Sequence, residues 1–292
     1  MNIFLTGGSG FIGRNIIEQL GSKHTILAPS HAELELLDEN AVRDYLSEHA
    51  IDIVVHGAVR PGHRNAKDPS RQIDNNLRMF FNIIRNDRLF RKMFVLSSGL
   101  VYDMRHYQPK MSEDYFDEHV PLDEGGFSKY VIAKHCQCRT DITELRVFGI
   151  FGKYEDYAIR FISNAACKAV FDLPITIKQN RRFDYIYIND FISVLDRFIT
   201  TDIPPGAYNI TPDDSIELLT LAEKVRSSAN KDLPILVAQE GMGIEYSGSN
   251  SRLRSVFPDL SFTPVDTAIS LLYDWYRGNQ HLLQRELLLH DK

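Results

Sequence analysis

Thr6-Gly7-Gly8-Ser9-Gly10-Phe11-Ile12-Gly13 limits what this chain can fold into more than any other stretch. A short apolar run, residues 1–5, leads into it, and a helical pattern follows. A strand that feeds a glycine-rich turn and then becomes a helix suits the holding of a pyrophosphate. Gly7 permits the tight turn, Gly10 lets backbone approach the phosphates, and Gly13 lets the helix pack close to the strand. The first helical turn, with Phe11 and Ile12, presents unpaired N–H groups and about half a positive charge to an anion. This context makes a dinucleotide the expected ligand.

The rhythm downstream agrees. Residues 3–5, 25–27, 51–56, 94–97 and 142–146 read as strands, and 14–20, 39–49, 73–86 and 129–137 as intervening helices. Near-continuous apolar strands with helical crossovers predict an α/β fold, a Rossmann-type doubly wound parallel sheet with ligand beyond the carboxyl ends of its strands. The dinucleotide-binding domain is assigned to 1–148, and a smaller, mainly substrate-binding C-terminal lobe to 149–292. Strand and helix returns to the sheet are expected near 183–210. Residues 102–126, rich in Asp, Glu, His, Tyr and Pro, read as a long surface loop above the sheet. Residues 218–226 and 267–276 read as helices of the second lobe, and 281–290 as a capping helix.

With 292 residues, 43% hydrophobic and 25% charged, the chain has an ordinary globular composition. A net charge of −6 without a basic stripe gives no footprint for nucleic acid. No apolar run approaches the roughly 18 residues of a membrane span. No signal peptide is read ahead of the first strand. Cys136, Cys138 and Cys167 cannot all pair and form no ligand constellation, so no metal is expected and a reducing cytoplasm is.

Tyr130 and Lys134 lie four apart, on one face of a predicted helix. Proton transfer near neutrality needs a group that titrates nearby, and free tyrosine titrates near 10. An ammonium about 4 Å away contributes on the order of 4 kcal/mol at an effective dielectric of 20. That is enough to bring the phenol towards neutrality. The strand 94–97 ends in Ser97-Ser98 where a parallel sheet binds ligand. A hydroxyl there either bonds a substrate oxygen as charge develops on it or caps the next turn.

With these residues in view, the chain resembles the extended short-chain dehydrogenase/reductase family of nucleotide-sugar epimerases, dehydratases and reductases. The resemblance covers nearly the whole chain. It rests on residues 6–13, Ile53-Val54-Val55-His56-Gly57-Ala58, Asn76, Ser98-Gly99-Leu100-Val101-Tyr102, Tyr130 to Lys134, Leu145-Arg146-Val147-Phe148-Gly149 and residues 184–190. It implies Tyr130 as acid/base, Lys134 lowering its pKa while holding the nicotinamide ribose, and Ser98 bonding the reacting sugar oxygen. It also implies Asp38 at the adenine edge, Ala58 in the cofactor groove, and Asn76 fixing the segment beneath the active site. A homodimer is implied through helices near 73–86 and 129–137.

Departures from the family pattern narrow the expectation. Leu27-Ala28-Pro29-Ser30-His31 lacks the acid that meets an adenosine ribose in NAD enzymes. NADP(H) is therefore favoured, NAD(H) remaining possible, with Arg14, Ser30 or His31 as contacts. Residues 31–38 are similar to the equivalent part of GDP-fucose synthase and dTDP-4-dehydrorhamnose reductase. Gly99 and Leu100 stand where the family's 4,6-dehydratases carry an Asp-Glu pair, and Leu100 stands where GDP-fucose synthase has its epimerising cysteine. Neither residue moves a proton. Gly149 replaces a frequent Asn. Phe183 replaces an Arg that pairs with substrate pyrophosphate, and Arg181 and Arg182 lie just upstream; either serves with a shifted backbone, or both are surface charges. What remains is reduction of a nucleotide-linked 4-keto sugar, or 4-epimerisation with tightly bound NAD. Outside that class stands a cofactor-binding sensor without catalysis.

Overall fold

The computed structural model describes residues 1–62 and 70–289. Six strands form one parallel sheet: β1 (Asn2–Thr6), β2 (Thr25–Leu27), β3 (Ile53–His56), β4 (Lys92–Ser98), β5 (Ile142–Val147) and, after a long excursion, β10 (Gly206–Ile210). Their spatial order is β10-β5-β4-β3-β1-β2. The chain thus reverses direction across the sheet at β1, and ligands bind at such a switch point.

Side-chain alternation explains why both faces are covered. Ile3, Leu5, Ile53, Val55 and Phe94 point to one face, against α1 (Phe11–Leu20) and α6 (Ile188–Thr200). Phe4, Val54, Met93 and Val95 point to the other, against α2 (Glu39–Glu48), α3 (Gln72–Ile84) and α4 (Glu124–Cys136). Burying each such side chain stabilises the fold by roughly 1.5–3 kcal/mol before entropy is counted.

The remaining elements are β6 (Gly149–Phe151), α5 (Phe161–Val170), β7 (Ile175–Asn180), β8 (Arg182–Phe183), β9 (Tyr185–Tyr187), β11 (Ile216–Glu217), α7 (Leu218–Ala229), β12 (Ile235–Met242), α8 (Ser251–Val256) and α9 (Val265–Gly278). Ile162, Ala166, Leu221, Val225, Ile269 and Leu272 of α5, α7 and α9 share a separate apolar core. Leu253 and Phe257, by contrast, return to the core of the large sheet. Among the described residues no helix is long and apolar enough to cross a membrane.

Three expectations need correction. Of the returns expected near 183–210, α6 and β10 reach the large sheet, but the start of that stretch forms two short strands outside it, β8 and β9, broken at the buried Asp184. The capping helix read at 281–290 is a pair of 3-10 turns, Gln280–Leu282 and Arg285–Leu288, with only Leu288 fully buried against the second core; His290 lies outside the described residues. The helix read at 129–137 starts earlier, at Glu124, and ends at Cys136, leaving Cys138 exposed in the following turn.

The long loop above the sheet is pinned from below. Arg146, fully buried, donates to Glu144 Oε2 through Nε and Nη2 at 3.0 and 2.8 Å, and to Tyr102 Oη at 2.9 Å. Tyr102 Oη donates to Asn209 Oδ1 at 3.1 Å, and Asn209 N donates to Glu113 Oε1 at 2.7 Å. Breaking such a buried, hydrogen-bonded charge pair is costly, so the Arg146 network fixes the loop's base.

Candidate active site

The glycine cradle is set by backbone exclusion. Gly7 has φ +77°, and a Cβ there would lie 2.8 Å from the Gly57 carbonyl carbon. A Cβ on Gly13 would lie 2.2 Å from Gly7 O, so the turn and the helix touch through bare backbone. Gly10 is less constrained, its Cβ position lying 3.3 Å from the same oxygen. Gly10 also opens α1 with no side-chain cap and no acid in the first turn. The first N–H groups therefore keep their pull on an anion. Phe11 and Ile12 contribute through backbone, since their side chains pack on the sheet core.

A cleft of about 480 Å³ runs over this cradle, lined among others by Gly7, Gly10, Ser30, His31 and Ala58. Bare backbone, an uncapped helix and an apolar groove together fit a dinucleotide. At the far end Glu33 accepts from Ser30 N at 2.7 Å, and that bond holds its carboxyl below the usual range. His31 Nε2 faces Glu35 Oε2 at 3.2 Å. Both nearby acids are thus engaged locally. Arg14 does not line the cleft; its guanidinium stacks 3.7 Å from the Tyr154 ring centroid. Asp38 also lies outside the lining, and its Oδ1 caps α2 by accepting from Asn40 N and Ala41 N. Asn76 Oδ1 accepts from Arg60 N at 2.6 Å, clamping the backbone just beyond Ala58. Beneath the cradle, buried His56 Nδ1 lies 2.9 Å from Thr6 Oγ1. Burial, aided by the Lys129 ammonium, pushes His56 down to about 4.

At the other end, Ser98 closes β4 and its Oγ accepts from Leu100 N at 3.3 Å. The hydroxyl caps the turn and remains at the carboxyl edge of the sheet. Tyr130 and Lys134 share one face of α4, but their relation differs from the expectation. Asp117, from the long loop, inserts between them: Tyr130 Oη donates to Asp117 Oδ1, and Lys134 Nζ donates to Oδ2 at 2.8 Å. The phenol is pushed up rather than down, first by its bond to the Asp117 carboxylate and then by burial, with Lys134 pulling the other way. Lys134 is likewise raised by Asp117, and Asp117 is lowered by both partners. The expected depression of Tyr130 by Lys134 is therefore overridden by a carboxylate nearer to the hydroxyl than any helix spacing reveals.

The space beside Ser98 is filled. A Cβ on Gly99 would lie 2.6 Å from the Phe148 ring and 2.7 Å from Tyr246 Oη. Tyr107 Oη donates to Gly99 O at 3.3 Å, and the Tyr107 and Tyr246 rings are 5.1 Å apart. An acid at this position is excluded by volume as well as absent from the chain. Gly149 has a similar reason, since its Cβ would meet Asp184 O at 2.3 Å.

Arg182 is tied into the second lobe, donating through Nε to Ser215 Oγ at 3.0 Å and lying 3.6 Å from Glu217 Oε1. Arg181 lies over the Phe183 ring at 5.7 Å. Phe183 in turn meets Tyr246, with ring centroids 5.5 Å apart. Sequence reasoning missed Asp117, Tyr107 and Tyr246. The two tyrosines carry no motif, and Asp117 sits in a loop whose path no periodicity predicts.

The chain matches the NAD dependent epimerase/dehydratase family over residues 3–211 and belongs to it. It is 33% identical over 107 residues to GDP-L-colitose synthase of Yersinia pseudotuberculosis, 35% of each chain; the match thus spans about a third of that relative. Over 91% of this chain and 95% of the other, it is 24% identical to ADP-L-glycero-D-manno-heptose-6-epimerase of Brachyspira hyodysenteriae. In fold it superposes on a GDP-L-fucose synthetase from Naegleria fowleri with a TM-score of 0.84 at 16% identity, covering 96% and 94% of the two chains.

Proposed function

We propose that this protein reduces a nucleotide-linked 4-keto sugar with NADPH. The observation that carries the reading is the anion cradle at Gly7–Gly13, whose cleft runs on to Ala58 and Arg60, together with Ser98 at the carboxyl end of β4 and the Tyr130–Lys134 pair on one face of α4. The partly matched relatives named as GDP-sugar synthases support a sugar nucleotide as substrate. Bound dihydronicotinamide supplies the hydride. Gly7, Gly10 and Gly13 hold the pyrophosphate, Ser30 and His31 the adenosine phosphate, and Lys134 the ribose. Asn76 supports the groove by clamping Arg60, whereas Asp38, which caps α2 outside the cleft lining, is given no adenine contact. Ser98 orients the sugar oxygen, and Tyr130 gives it a proton from its Oη. Lys134 stabilises the tyrosinate that remains. Arg181, rather than the tied Arg182, meets the substrate pyrophosphate. The second lobe, from 149 onward, closes over the sugar nucleotide.

The Gly99 packing favours this reading over elimination chemistry, because no acid fits there. Four-epimerisation uses the same residues with retained NAD. Tyr130→Phe is expected to lower turnover by about 10²–10⁴-fold while leaving NADPH binding near wild type. Retained turnover with a 4-keto sugar nucleotide refutes the reading, and stoichiometric NAD released on denaturation moves it to the epimerase. The protein is further proposed to be a homodimer in the cytoplasm. Half-exposed Phe81 on α3 packs edge-on to Phe80 and His135, an apolar patch across α3 and α4, and the three cysteines are free. Light scattering at micromolar protein tests the dimer.

A further inference from the structure

Asp117 does more than perturb its neighbours. Its carboxylate takes the one proton Tyr130 has to donate and one of the three N–H groups of Lys134. A tyrosine donating to Asp117 is not donating to a sugar oxygen. A lysine directed at Asp117 carries an anion where the reading above needs it to hold a ribose. The two arrangements exclude each other, and an anionic ligand adds repulsion against that carboxylate.

The segment is built to let this carboxylate move. Phe116 is buried, its ring 5.3 Å from that of Tyr130 and under the Arg146 guanidinium at 4.5 Å. Asp117 and Glu118 directly after it are exposed. Asp117 has φ +79°, an uncommon conformation for a residue with a side chain. Rotation about this one strained residue withdraws the carboxylate while Phe116 stays seated. Both members of the Asp117–Lys134 pair are more than two-fifths exposed, so the bond is weak enough for a ligand to displace.

We propose that Asp117 is a latch on the tyrosine–lysine pair, closed as seen here and displaced when the nicotinamide ribose engages Lys134. The proposal rests on the reductase reading and adds to it a conformational step before chemistry. A closed fraction lowers apparent affinity in proportion to the competent fraction that remains. Asp117→Asn and Asp117→Ala should therefore bind NADPH about fivefold more tightly than wild type in a calorimetric titration. Glu118→Gln removes the same charge one residue along the exposed loop without touching the pair, and should change affinity less than twofold. Equal tightening in Glu118→Gln and Asp117→Asn would assign the effect to general charge and overturn the latch. So would unchanged or weaker binding by Asp117→Asn, with its thermal midpoint at the wild-type value showing that it folds. Absence of dinucleotide binding in wild type and variants alike overturns the reductase reading and the latch together, whereas normal wild-type binding without tightening overturns the latch alone.

Discussion

At the cradle, position is enforced by atoms that have no alternative. Gly7, Gly13 and the Gly57–Ala58 backbone pack so closely that a single methyl group would displace main chain. At the Tyr130 end, position depends on the tips of side chains, and a carboxylate from a loop thirteen residues away changes what the pair can do. The helices differ in the same sense: α1 starts uncapped, whereas α4 is capped by Asp123, whose Oδ1 accepts from Gly126 N at 2.7 Å. Binding an anion calls for a rigid surface with unsatisfied donors, and moving a proton calls for groups that exchange partners. The fold meets these requirements with different elements, β1 and α1 for the first and α4 with its loop for the second.

The largest effect that would break this contrast is at Gly13. Gly13→Val is expected to abolish NADPH binding and destabilise the fold by about 3 kcal/mol or more, because backbone must move to admit it. Gly10→Ala, with its longer 3.3 Å approach, should weaken binding far less. Dinucleotide titration and thermal melts of the pair measure this; equal losses would show that the cradle is not set by backbone exclusion. Next in size, Arg181→Ala should raise KM for the sugar nucleotide about tenfold with kcat little changed. Arg182→Ala should instead lower thermal stability through loss of the Ser215 and Glu217 contacts. Steady-state kinetics on both variants decide between the two arginines.

The smallest effect concerns pH. Asp184 is buried, accepts from Gly248 N at 2.8 Å, and is pushed up to about 7, chiefly by burial. Its folded state binds a proton that the unfolded chain has lost, so its contribution to stability is full below about 4 and disappears as pH rises through 7. Asp184→Asn should therefore melt a few degrees higher than wild type at pH 8, with the gap closing towards pH 4. His56 has the opposite sign. Held down at about 4, it contributes stability that is full above 6.5 and is lost as pH falls through 4. Melting curves of wild type, Asp184→Asn and His56→Gln across pH 4–8 test both signs, and parallel curves would contradict them.

Much of the architecture was legible from residue order. The alternation of buried positions along β1, β3 and β4 follows from a strand period of two, and all five early strands lie where the apolar runs stand. The cradle was legible too, because a glycine requirement is a property of backbone at fixed spacing. Less visible were α5, β7 and β12, which pack in the second lobe without a motif, and the break between β8 and β9 at the buried Asp184.

The Tyr130–Lys134 spacing by itself determined that the two side chains share a helix face, since 3.6 residues per turn allows nothing else. Which charges surround them was decided only in three dimensions. Coulomb and hydrogen-bond energies depend on distance through space, and Asp117 reaches the pair by the path of a loop that Arg146 and Glu113 anchor from beneath the sheet edge. Likewise the composition at Gly99 removed an acid, but only packing showed Phe148 and Tyr246 occupying the room one would need. Local order along the chain thus settled what the residues are able to do, and non-local contact settled their charge state, their partners and the space left to a substrate.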